Sequence, residues 1–197
     1  MSLTRGLFAG SAVLLIAACT SQPSPPPPPP APTAQQVQAT RVERGQYLVN
    51  AMGCDDCHTP FKMGPKGPEP DMTRRLSGHP EDVKVDKRPT LPEPWMFAGN
   101  TTGTAWAGPW GISYSANLTG DKNTGIGQDL WTEDLFVKAI RDGKHMGTDR
   151  PILPPMPWPV FRNLNDEDLK SIFAFLRTVT PINNHVPDPV LADAPGK

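Results

Sequence analysis

Cys54-Asp55-Asp56-Cys57-His58 places two thiols three positions apart and an imidazole directly after the second. Within one helical turn both thiols can add to the two vinyl groups of a single haem, and the adjacent imidazole is then held beneath the iron. Covalent attachment keeps the porphyrin from dissociating, and a histidine fixed by two neighbouring thioethers loses little entropy when it ligates. A thioredoxin-like dithiol would need a βαβ setting, which this sequence does not offer. A zinc centre would need four ligands, where the chain has one Cys pair and scattered histidines. Cys54 and Cys57 are therefore the expected attachment points of one covalent haem c, with His58 as an iron ligand.

The elements that must position this motif are legible as helices on either side of a long irregular stretch. Gln36 to Met52 has helical spacing, with Gly45, Leu48 and Met52 on one stripe, Tyr47 and Ala51 beside it, and Gly53 as its stop. Thr132 caps a second helix to about Gly143, with Glu133 and Asp134 at the positive end of its dipole and Leu135, Phe136, Ala139 and Ile140 on an apolar face. Asn165 caps a third, which runs through Leu169, Ile172, Phe173, Leu176 and Val179 until Pro181. Between Thr59 and Leu130 the abundance of Pro, Gly, Thr and Asn predicts loops, short helical turns or a small hairpin. The expected fold class is all-α, with residues 60–115 as a loop-rich insertion.

The chain has 197 residues, 20% of them charged, and a formal net charge of −1, so there is no basic bias toward nucleic acid. Three cysteines exclude a disulfide-rich scaffold. One of them ends a short apolar run that follows Arg5. The run closes as Ile16-Ala17-Ala18-Cys19, which resembles the lipobox of bacterial lipoproteins. Residues 1–18 then read as a signal peptide, and Cys19 as the lipid-attachment site. Pro25 to Pro30 should extend as polyproline II, making residues 19–33 an anchor and stiff linker. Residues 34–186 form the expected domain, and 187–197 a loose tail.

With these residues in hand, the stretch from about Arg41 to Thr180 resembles a bacterial class I type, monohaem cytochrome c in lipoprotein form. The resemblance rests on Gly45-Gln46-Tyr47-Leu48, Cys54 to His58, Pro155-Met156-Pro157 and a final amphipathic helix. It implies N- and C-terminal helices crossing near one haem edge, with Gly45 permitting the approach and Tyr47, Phe173 and Leu176 filling the crossing. Gly108-Pro109-Trp110-Gly111, Asn117-Leu118-Thr119, Thr124-Gly125-Ile126-Gly127 and Trp131-Thr132 are similar to cytochrome c modules that serve bacterial dehydrogenases and respiratory chains.

The resemblance implies an axial methionine in the loop before the last helix, and Met156 lies there, flanked by prolines that restrict φ. Met146, His79, His145 and His185 compete for that role, the histidines reading otherwise as surface or loop residues; Met52, Met63, Met72 and Met96 read as core or loop filling. A thioether ligand favours Fe(II), and burial by Trp106, Trp110, Trp158 and Phe161 would act in the same direction, although ordinary core packing explains these aromatics equally well. Asp121-x-Asn123-x-Gly125 reads as a turn, since Thr132 stands where a calcium loop would need Glu. Lys62, Lys66, Arg74 and Arg75 are either a docking face for an acidic partner or a solvated loop surface.

The expected function is one-electron transfer between a redox protein donor and acceptor, tethered by a lipid at the periplasmic side of a bacterial membrane. The chain is not expected to be an enzyme itself. The alternative is a haem c subunit fixed in a membrane dehydrogenase or reductase complex. A third reading, an open-site haem that senses gas or reduces peroxide, would need a vacant sixth position.

Overall fold

The computed structural model describes residues 30–192, Asp86 and Asp149 excepted. The signal peptide, Cys19 and nearly all of the proline run lie outside the described residues. Helix α1 (Ala34–Ala51) opens with a capping box: Thr33 Oγ1 accepts from Gln36 N, while Gln36 Oε1 accepts from Thr33 N. Gly53 separates it from the one-turn helix α2 (Cys54–His58). Helix α3 (Glu133–Asp142) is capped by the Thr132 hydroxyl, a short α4 (Trp158–Phe161) follows, and α5 (Asp166–Leu176) is capped by Asn165.

Helices α1 and α5 cross at Gly45. A Cβ on Gly45 would lie 1.9 Å from Ser171 O and 2.7 Å from Phe175 Cβ, so only glycine permits this backbone approach. The buried residues of α1 are Gly45, Leu48 and Val49, at spacings of three and four. Tyr47 does not fill the crossing. It points outward, 62% exposed, with the Arg44 guanidinium 5.5 Å from its ring centroid. Val49, wholly buried, joins Phe173, Phe175 and Leu176 in the interior instead. Helix α5 stops at Leu176, short of Pro181, because Val179 O accepts from Gly120 N and Ile182 N donates to Thr119 Oγ1. The chain after α5 is committed to the 117–124 turn.

The all-α expectation is overturned by two antiparallel sheets, built from the long stretch after the haem motif and one strand near the C-terminus, which make the fold mixed α and β. Strands β1 (Phe61–Gly64) and β2 (Gly67–Pro70) form a hairpin. Strands β3 (Ala98–Gly99), β4 (Ala105–Gly108), β5 (Gly111–Tyr114) and β6 (Val190–Leu191) form the second sheet in that order. Ala105 pairs with Tyr114 and Gly108 with Gly111 around Pro109-Trp110, while Ile112 pairs with Val190. The C-terminal segment therefore supplies an edge strand at Val190–Leu191, not a loose end. Such short strands, interrupted by Gly and Pro, leave no alternating run from which a sheet could be read. No helix among the described residues is long and apolar enough to cross a membrane.

Candidate haem-binding site

Helix α2 presents Cys54 and Cys57 one turn apart and ends on His58. Both cysteines are partly buried free thiols. Burial, reinforced by Asp55, pushes the Cys54 thiol up to about 11, and burial with Asp56 raises Cys57 as well. His58 is buried and its basicity is lowered by loss of solvent, which keeps the imidazole neutral, the form that binds iron. Its Nδ1 lies 2.8 Å from Ala116 O. Donation from Nδ1 to that carbonyl fixes the tautomer and leaves Nε2 as the coordinating atom.

The acceptor is held in turn. Gly78, at φ 76°, donates from its backbone N to His58 O at 2.8 Å. A Cβ at Gly78 would lie 2.6 Å from Ala116 O and 2.4 Å from Ser115 O. His79 N donates to Ser115 O, closing the contact between the two loops. The first variable residue of the motif has a structural duty of its own: Asp55 takes a two-point bond from Arg75, Nε at 2.9 Å and Nη2 at 2.7 Å, and a third from Thr59 Oγ1 at 2.8 Å. Although burial raises the Asp55 pKa, the hydrogen bonds from Arg75 and Thr59 outweigh it and hold the carboxyl below its ordinary value. Arg75 also reaches Asn50 Oδ1 and lies 5.9 Å from the Phe175 ring centroid, so it joins α1, α2 and α5. Arg75 is thus committed internally and is not part of a docking face; Lys62 pairs with Asp71 at 3.4 Å.

Met156 lies on the proline-rich loop between α3 and α4. Met156 and Cys54 both pack, partly buried, against the core cluster that contains Leu48, Leu76, Phe136 and Phe173. The competing histidines occupy other settings. His79 is completely buried, not on the surface, and both ring nitrogens are engaged, Nδ1 with Thr104 Oγ1 and Nε2 with Val83 O, each at 2.9 Å. His145 is half-buried edge-on to Trp131, 5.8 Å between ring centroids; burial, then Arg150, pushes its pKa down to about 4. His185 is exposed, its backbone N bonded to Glu81. Met146 adopts φ 51° in a tight turn. Trp106 and Trp110 gather around Phe97 on the sheet, Trp158 lies against Gly143, and Phe161 flanks the core. Asp121 forms the expected turn, its Oδ1 accepting from Asn123 N, Thr124 N and Thr124 Oγ1.

The donor set fits a c-type haem. Two thiols on one turn supply thioether attachment, and a buried neutral imidazole has one nitrogen tied back, which leaves the other for iron. Three further buried donors, Arg41 Nε on α1, Ser77 Oγ beside Gly78 and Trp106 Nε1, lack partners among the described residues. Ala116, Gly78, Asp55 and Arg75 were not recoverable from spacing, since the contact from His58 to Ala116 spans 58 positions and that from Asp55 to Arg75 spans 20.

Comparison with known proteins gives the same direction. Over 148 residues the chain is 33% identical to the gluconate 2-dehydrogenase cytochrome c subunit of Pantoea cypripedii, covering 75% of this chain and 25% of that protein. It is a relative of the cytochrome c subunits of bacterial dehydrogenases. Identity is 30% over 176 residues with the fructose dehydrogenase cytochrome subunit of Gluconobacter japonicus, covering 88% of this chain and 28% of the relative. It is 28% over 183 residues with a nicotinate dehydrogenase subunit of Pseudomonas putida, covering 92% and 12%. The chain thus spans between 12% and 28% of the length of these three relatives. No family model matches it.

Proposed function

We propose that the chain is an electron-transfer module that carries one covalent c-type haem and passes single electrons from a dehydrogenase to a further redox protein. Lipid attachment at Cys19 would tether it at the periplasmic side of a bacterial membrane. The observation that carries this reading is the Cys54–His58 turn, with both thiols on one turn that ends in a buried imidazole whose Nδ1 is bound to Ala116 O. A bound c-type haem supplies a one-electron iron couple. Cys54 and Cys57 would hold the group through thioethers, and the Ala116 carbonyl would strengthen His58 as a ligand by drawing on its Nδ1 proton. Met156 would serve as the second iron ligand, and a neutral thioether there would favour Fe(II) and raise the potential. With His58 and Met156 both ligating, the iron would be closed to substrate, and the chain would relay electrons without acting on a substrate itself. The sequence contains one such motif, which supports one haem for these 197 residues.

Haem staining after denaturing electrophoresis tests the proposal. Protein from a host that matures cytochromes c is expected to retain stain, and Cys54→Ser with Cys57→Ser to lose it. An unstained parent band overturns the reading. The names of the relatives favour a second form of the same function, a subunit fixed in a dehydrogenase complex. A stoichiometric partner retained through high salt supports that form, whereas release at high salt supports a diffusing carrier.

A further inference from the structure

The loop that carries Met156 is poor in backbone donors, because Pro151, Pro154, Pro155, Pro157 and Pro159 have no N–H. One end is tied to the close of α3, where Ile152 N donates to Gly143 O at 2.8 Å. Nearer to Met156, the loop receives a bond from the sheet: Ser113 Oγ on β5 donates to Pro154 O at 2.6 Å. Ser113 is buried, its hydroxyl is 3.3 Å from Trp110 Nε1, and the alternative acceptor, Trp106 O, is farther away at 3.4 Å. A hydroxyl has one proton, so the short contact takes it, and the relay runs from Trp110 N–H through Ser113 O–H to the Pro154 carbonyl.

We infer that Ser113 is a positioning residue for Met156, through which the sheet inserted after the haem motif holds the axial-ligand loop in place. The inference rests on the assignment of Met156 as an iron ligand. A thioether is a weak neutral ligand whose hold on iron depends on how little freedom its loop must lose. Ser113 reduces that freedom two residues before Met156, from a strand 41 positions away in the chain. The 105–114 hairpin is thereby given a task in tuning the haem.

The test uses the full-length holoprotein in the ferric state and two readouts: the far-red sulfur-to-iron absorption band, and the dissociation constant of added imidazole, which must displace Met156 to bind. Ser113→Ala is expected to weaken the band and tighten imidazole binding by about fivefold to tenfold, the worth of one net hydrogen bond. Ser113→Thr, which keeps the hydroxyl, is expected to restore both readouts. Trp110→Phe leaves the hydroxyl but removes its N–H partner, and should give a smaller tightening in the same direction, so the test survives if Ser113→Ala does not fold. Unchanged imidazole affinity and band in the folded variants overturn the role of Ser113 while leaving Met156 in place. A parent protein that lacks the far-red band overturns the Met156 assignment and the inference together.

Discussion

At the scale of single residues, the chemistry is carried by a side chain that is held from behind. His58 is neutral because it is buried, and it is aimed because Nδ1 is bound to Ala116 O. Met156→Ala is expected to abolish the far-red band and lower the midpoint potential, with imidazole then binding without competition; an unchanged potential in a redox titration contradicts the assignment. Gly78→Ala should disturb His58 without touching it, since the new Cβ would press on Ala116 O from 2.6 Å. The attachment motif is legible in sequence because its chemistry demands local spacing. The Ala116 acceptor is not, because a backbone carbonyl carries no residue signature and reaches His58 only through the fold. Arg75 shows the same limit: among four loop cations it looks like surface charge, yet it pairs with Asp55 across 20 positions. Arg75→Gln leaves that partly buried carboxylate short of its main partner and is expected to cost about 1–3 kcal/mol in urea unfolding at neutral pH.

At the scale of elements, the crossing of α1 and α5 sets the frame from which α2 hangs. Gly45→Ala forces a methyl into Ser171 O and should destabilise the holoprotein by about 3 kcal/mol, seen as a lowered thermal midpoint. Arg44 fastens this crossing through Asp168 on α5 at 2.8 Å, and Arg141 ties α3 to the same helix through Asp166 at 2.6 Å. The hydrogen bond from Arg44 is the main cause of the lowered pKa of Asp168, and that from Arg141 of the lowered pKa of Asp166. A carboxyl with a depressed folded-state pKa contributes stability that is full above its unfolded value of about 4 and is lost as pH falls through the folded value. Unfolding measured across that acidic window should therefore show a shallower loss in Arg44→Gln than in the parent, and an equally steep loss would contradict the role of the pair. The helices were legible from caps and periodicity: Thr132 and Asn165 begin α3 and α5 as their side chains require. The sheet was not, because β4 and β5 have four residues each and β6 only two. Its stability comes from pairing partners far apart in sequence, such as Ile112 with Val190.

For the whole molecule, a net charge of −1 offers no long-range field with which to steer a partner. Recognition must then rest on local complementarity at the contact surface. The proposed anchor gives a separate expectation: Cys19→Ser should shift the protein from the membrane to the soluble periplasmic fraction, and unchanged membrane association would remove Cys19 from that role. The most direct test of the central claim is the absorption spectrum of the holoprotein, oxidised and then reduced with dithionite. Ligation by His58 and Met156 predicts a weak far-red sulfur-to-iron band in the oxidised form and sharp low-spin α and β bands on reduction. A haem-loaded protein without the far-red band would contradict it and assign the sixth position to another ligand.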